Sequence, residues 1–337
     1  MHDPLGKTIR RVLAFSMGLG LLLGGLPAAA QEKASVRLKW LPQAQFAGIY
    51  MAKEKGFYLA EGIDMTINPG GPNISAEALV AAGTDQFAQG GGVDSQVTSR
   101  AKNLPLVTIG IMHQKTPFVF ISHADSGIKA VKDFKGKKVS VWFTGAQFVL
   151  YSMLAQNGLA QSDVTIQPQQ VALTPFLDRQ VDVVAATLYN EMNTIKARKV
   201  SVNIIAAEDS GITMPRDPLM TSEKVIQERP KLVQGFVNAT LRGWKYAFQN
   251  KKETIDVLLR VAPTLDRAHQ EAMLVSAEEV TLAGTGKSQG IGYIDMPAVE
   301  KAHKVLLDNK AIDSPIDLSK AFDDRFWKAA PDADKKM

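Results

Sequence analysis

Short apolar runs along this chain alternate with segments whose apolar residues recur at helical spacing. The runs at 36–40, 63–67, 86–89, 106–112, 118–122, 139–143, 164–167, 181–186 and 202–206 read as strands. Between them, 47–55, 75–81 (capped by Ser75), 93–102, 128–134, 147–157, 175–179 and 192–198 read as helices. Such alternation predicts βαβ units and a largely parallel sheet, so the fold class is α/β. Residues 208–217 are rich in turn formers and read as a loop. From 223 onward the chain reads as helical, with two helices broken at Pro230 and others over 252–260, 265–281 and 296–309. No internal repeat marks a solenoid. The plan is two α/β halves followed by a helical return, and 337 residues suffice for two cores.

The first thirty residues stand apart from that pattern. Lys7, Arg10 and Arg11 lead into an apolar run from Val12 to Leu26, which ends at Ala28-Ala29-Ala30. This is the pattern of a cleavable export signal over 1–30, cut near Ala30, and the run is short for a membrane span. The Arg10-Arg11 pair also raises twin-arginine export. The chain has no cysteine, which excludes disulfides and a lipid anchor on cysteine, so the expected location is the periplasm, untethered. A net charge of +5, scattered along the chain, argues against nucleic acid as a partner.

Candidate chemistry gathers at the predicted carboxyl ends of strands, where open α/β sheets bind ligands. Trp40 closes the first strand, and Gln43, Gln45 and Phe46 fill the loop after it; Trp40 reads either as a ligand floor or as a core aromatic. Gly90-Gly91-Gly92 precedes a helix that carries Asp94 in its first turn. Those glycines either turn free N–H groups toward a ligand or allow close strand–helix packing. Trp142-Phe143 and Tyr189-Asn190-Glu191 end two strands of the second half. Aromatics from the two halves can sandwich a flat ring, with Asn190 and Glu191 pairing to its edge donors. Thr285-Gly286-Lys287-Ser288 is not a P-loop, because Thr281 stands where the motif requires glycine; residues 284–292 read as a glycine-rich loop. The histidines show no metal spacing, no Gly-x-Ser-x-Gly elbow is present, and no metal or cofactor is expected.

The segment from Leu38 to Tyr58 with Glu61-Gly62-Ile63-Asp64 resembles the opening of ABC-transporter substrate-binding proteins of the NMT1/SsuA-like superfamily. Residues 139–145, Tyr189-Asn190-Glu191 and Gly290–Asp295 resemble it too, so the likeness spans about 34–312. The resemblance implies a two-lobed periplasmic-binding-protein type II fold with a ligand cleft between the lobes. The expected lobes are 34–118 with 220–330, and 119–219, hinged near 118–122 and 215–222. It further implies that the chain, with monomer as the default state, hands a small heterocycle to an ABC permease, most closely a thiamine pyrimidine precursor such as formylaminopyrimidine. Riboflavin is an alternative, as is a sulfonate- or nitrate-type anion, although the candidate cleft residues include no arginine. Trp40 is the implied stacking residue, with Gln43, Phe46, Gly92, Asp94, Trp142, Phe143, Tyr189, Asn190 and Glu191 around the ligand. The superfamily also contains the eukaryotic-type thiamine pyrimidine synthase. Its reactive lysine and histidine correspond to Gly91 and Ser95 here, and its cysteine-rich run has no counterpart, so no enzymatic activity is expected.

Overall fold

The apolar runs form two five-stranded sheets in the computed structural model, which describes residues 31–143 and 145–337. The expected export signal lies outside the described residues. The first sheet is built from β1 (Glu32–Leu38), β2 (Ile63–Asn68), β3 (Phe87–Gln89), β4 (Leu106–His113) and a later strand, β10 (Arg216–Ser222), in the order β2-β1-β3-β10-β4. The second contains β5 (Phe118–His123), β6 (Lys138–Val141), β7 (Thr165–Pro168), β8 (Val183–Thr187) and β9 (Val202–Ala206), in the order β7-β6-β8-β5-β9. Strand β1 runs parallel to β2 and β3, and β6 runs parallel to β7 and β8.

The later strand, β10 (Arg216–Ser222), departs from the sequence expectation of a loop through 217. It lies antiparallel between β3 and β4 with every residue buried. Pro218 and a left-handed Asp217 (φ 57°) disguise it, because both are turn signals in a sequence. Strand β5 is likewise antiparallel to β8 and β9, so neither sheet is wholly parallel.

The segments at 118–122 and 215–222, where a hinge is expected, lie in or against ladder-bonded strands. The chain passes between the sheets in the short links after β4 and before β10. There Met214 N–H donates to Thr116 Oγ1 (2.6 Å), and Thr116 Oγ1 donates to Ile212 O (3.3 Å). A third strand of chain runs beside them, with Ile111 N–H donating to Gly292 O and Gln114 Nε2 to Tyr293 O. It leads to the helix Met296–Asp308, whose Val299, Ala302 and Leu306 join the core around the second sheet. The expected loop at 284–292 contains a short helix, Thr285–Gln289.

The first sheet is covered by the amphipathic helix Pro230–Gln249, whose Phe236 stacks on Phe87 of β3 with ring centroids 3.9 Å apart. Helix Ala47–Glu54 crosses it so closely that a Cβ on Gly48 would fall 2.1 Å from the Trp244 ring. A Cβ on Gly243 would fall 2.2 Å from the Gly48 carbonyl oxygen. Gly48→Ala is therefore expected to lower stability by about 1–3 kcal/mol through overpacking, read as a fall in the urea midpoint. An unchanged midpoint would mean that the crossing is not tight.

Candidate ligand-binding site

A cavity of about 620 Å³ opens between the two sheets, at the ends where the loops after β1, β3, β6 and β8 converge. Its waist is aromatic. Trp40 lies two residues past the end of β1 and Trp142 directly past β6. Their rings meet edge to face at 6.0 Å and 75° rather than in parallel.

Beneath the tryptophans is a buried polar floor organised by Asp217. Its Oδ1 accepts from Lys39 Nζ, and its Oδ2 accepts from Gln45 Nε2 (2.8 Å) and Gln89 Nε2 (3.0 Å). His113 Nδ1 stands 3.4 Å from Oδ1. The carboxylate thus joins the ends of β1, β3 and β4 to the loop before helix Ala47–Glu54. Its left-handed backbone, which aspartate tolerates better than most residues, sets that position. Burial works against its ionisation, but His113, Lys39 and Gln45 outweigh that and hold its pKa below the usual carboxylate value. Burial lowers Lys39 below the usual lysine value, with Asp217 opposing.

A second buried pair lies alongside. Arg216 Nη1 donates to Asp94 Oδ1 at 2.6 Å, and its guanidinium sits over the Phe118 ring of β5, 4.7 Å from the centroid. Arg216 therefore spans both sheets. Burial raises the Asp94 pKa, with Arg216 opposing. Gly145, which precedes helix Ala146–Gln156 of the second sheet, approaches this pair so nearly that a Cβ there would fall 2.1 Å from Asp94 Oδ2. Its φ of 123° also favours glycine.

Tyr189 crosses the cleft from the end of β8. Its hydroxyl accepts from Gln45 Nε2 (3.1 Å), its ring tilts against His113 at 5.2 Å, and it packs into the first sheet's core. Glu191 Oε2 accepts from Thr187 N–H (2.8 Å) and Thr187 Oγ1 (2.6 Å), while among the described residues Oε1 accepts from Asn190 Nδ2 alone (2.9 Å). That leaves Oε1 acceptor capacity to spare. Asn190 is engaged at both ends, its Oδ1 lying 2.8 Å from His269 Nε2.

Trp40, Gln43, Asp94, Trp142, Phe143, Tyr189, Asn190 and Glu191 accordingly all line the cavity. Two expected residues do not. Phe46 closes a short 3₁₀ turn (Ala44–Phe46) and is wholly buried in the first core, where an apolar ring belongs. Gly92 is buried, and a Cβ on it would lie 2.4 Å from Asp94 Oδ1 and 2.8 Å from Arg216 Nη1, so its place serves close packing. The N–H groups of the glycine run are spent: Gly90 on Pro218 O, Gly91 on Glu77 Oε1 and Gly92 on Ser95 Oγ. The close-packing reading of that run holds. The expectation that no arginine stands in the cleft fails at Arg216.

Lys39, Gln89, His113, Arg216 and Asp217 were not read as site residues. Gln89 and His113 end buried strands in the same way that Trp40 follows one, so the rule that found the tryptophan extends to them. Arg216 and Asp217 carried no signal once their segment read as a loop. Among the described residues no cluster of His, Cys, Asp or Glu could hold a metal ion. No helix among them is long and apolar enough to cross a membrane.

Burial lowers the His113 pKa to about 4, with Lys39 and Arg216 acting in the same direction and Asp217 opposing. The unfolded chain takes up this proton near 6.5, so between those values it binds more protons than the folded one. The stability present above that window is lost as pH falls through it, by about 3 kcal/mol in all. Urea unfolding of the parent and His113→Gln at about pH 7 and about pH 4 checks this, since the variant is expected to lose less. Equal losses would place the acid sensitivity elsewhere.

Comparison with known proteins gives this geometry a context. A family model described as NMT1/THI5 like matches residues 43–254. The riboflavin-binding protein RibY of Chloroflexus aurantiacus is 26% identical over 306 residues, covering 88% of this chain and 86% of that protein. The formylaminopyrimidine-binding protein of Halalkalibacterium halodurans is 23% identical, covering 74% and 78%. A 4-amino-5-hydroxymethyl-2-methylpyrimidine phosphate synthase of Legionella pneumophila is 23% identical, covering 92% and 96%. Among solved structures, the periplasmic aliphatic sulphonate binding protein SsuA of Escherichia coli superposes with a TM-score of 0.69 at 16% identity, over 86% of this chain and 91% of that one. That likeness identifies the two-lobed fold of SsuA-type periplasmic binding proteins.

Proposed function

The chain belongs to the NMT1/THI5-like family, and on that footing we propose that it is the solute-binding component of an ABC importer for a neutral aromatic heterocycle. It is exported to the periplasm, closes its lobes on the ligand and delivers it to a membrane permease. The observation that carries this reading is a large cavity with a tryptophan waist and internally neutralised charges. The lining holds Lys39, Lys102 and Arg216 against Glu77, Asp94 and Glu191, and Asp217 stands behind Lys39. Each deep cation already faces a carboxylate, so a sulfonate or nitrate gains little on entering, whereas a neutral ring loses nothing. Tryptophan faces favour flat rings, and the spare capacity of Glu191 Oε1 suits a ring N–H or amino group.

The sequence points to a thiamine pyrimidine precursor. The cavity volume favours a second ligand, because about 620 Å³ is the scale of drug-sized molecules and exceeds what one pyrimidine ring fills. A tricyclic flavin occupies it better. The name of the riboflavin-binding relative is consistent with that. Synthase chemistry is disfavoured by Gly91 and Ser95 at the positions expected to react.

Thermal-shift measurements with riboflavin, formylaminopyrimidine, hydroxymethylpyrimidine and taurine test the proposal. A heterocycle at a hundred times its Kd adds about 2.7 kcal/mol, which raises the melting temperature by about 5 °C or more. A rise with taurine alone, or with no heterocycle, would overturn it. Pyridoxal phosphate is expected to give no stable aldimine absorbance; a persistent band would support the enzyme instead.

A further inference from the structure

The cavity reverses the usual order of polarity in a folded chain. Its floor is polar and buried: Gln43, Gln45, Asp94, Glu191 and Arg216 are each at most 8% exposed. Its mouth carries a cluster of apolar side chains open to solvent, beside the exposed Asn73, Ser75 and Lys102. Ile74, Phe143 and Val171 line it at 39%, 50% and 61% exposure, and Leu41, 49% exposed, stands beside the lining residue Gly71. Buried polar groups and clustered exposed apolar ones are the informative departures from ordinary burial.

The four rim residues are placed by one rule. Leu41 follows β1, Ile74 follows β2, Phe143 follows β6 and Val171 follows β7. Strands β2 and β1 form one end of the first sheet, and β7 and β6 form the corresponding end of the second. Each sheet therefore contributes two exposed apolar side chains from the equivalent pair of loops, while Trp40 and Trp142 are intermediate in exposure.

We propose that the rim selects for hydrocarbon on the outer end of the ligand. The bound molecule is then a fused heteroaromatic, its hydrogen-bonding end directed to the floor and an alkylated benzenoid edge held at the mouth. Leu41, Ile74, Phe143 and Val171 cover that edge from both lobes and are themselves removed from water. This inference rests on the heterocycle-binding reading and adds to it the ligand's orientation and the residues that read its outer end.

The test compares riboflavin with its analogue lacking both ring methyl groups, titrated by flavin fluorescence against the parent chain and the Phe143→Ser/Val171→Ser variant. Both substituted side chains are half exposed or more, and a circular dichroism melt confirms that the variant is folded. The analogue is expected to bind the parent roughly tenfold more weakly, the effect of two methyl groups losing apolar cover. In the variant the gap is expected to close to about twofold. Equal affinities for the parent, or an undiminished gap in the variant, would overturn the rim proposal while leaving the heterocycle site intact. Binding of hydroxymethylpyrimidine without either flavin would do the same. Failure of all three to bind would overturn the heterocycle reading and the rim together.

Discussion

The Asp217→Ala variant is expected to unfold with about 3–5 kcal/mol less free energy than the parent chain, the cost of leaving a buried charge unpaired. Asp217 is fully buried and receives Lys39, Gln45 and Gln89. Removing its carboxylate strands two buried amides and a largely buried ammonium, the Lys39 side chain being 16% exposed at the cavity wall. The left-handed backbone at 217 adds about 1 kcal/mol against alanine. Asp217→Asn tolerates that backbone and so isolates the charge. Adding Lys39→Met to Asp217→Ala is expected to recover a large part of the loss, because removing both partners of a buried pair is nearly neutral. Denaturant unfolding of the two singles and the double gives the coupling directly. A loss under about 1 kcal/mol in Asp217→Ala, or no recovery in the double, would show that the floor is not organised by this carboxylate.

The Trp40→Ala variant tests the waist. Stacking of a heteroaromatic ring on tryptophan is worth about 1–3 kcal/mol by alanine substitution, which predicts a tenfold to hundredfold loss of ligand affinity. Trp40 is only partly buried and packs at the edge of the first core, so the fold is expected to survive. Calorimetric titration alongside a melting curve separates the two effects. Unchanged affinity would make Trp40 a packing residue. A large fall in melting temperature with ligand absent would likewise mark its role as structural.

The legible part of the fold was the part encoded locally. The period-two and 3.6-residue patterns located β1 to β9 and the long helices, because each depends on a single stretch of chain. The aromatic pair Trp40 and Trp142 was legible for the same reason, as each follows a strand visible in its own segment. Phe46 misled because the sequence shows a residue in the loop but not which way a 3₁₀ turn aims it. The glycines at 90–92 misled because their N–H partners, Pro218, Glu77 and Ser95, cannot be seen from the run itself. Strand β10 was hidden by Asp217 and Pro218, whose turn propensities are overridden by pairing on both sides.

By itself the sequence determined the alternation of strands and helices, the helical return and the tryptophans beyond two strand ends. Only the tertiary structure decided the electrostatics of the cleft. Lys39, Gln45, Gln89, His113 and Asp217 lie far apart along the chain. The pKa shifts of Lys39, His113 and Asp217 arise from burial and from partners within a few ångströms, which exist only once β10 lies between β3 and β4. Periodicity is a property of neighbours in sequence, whereas charge compensation is a property of neighbours in space.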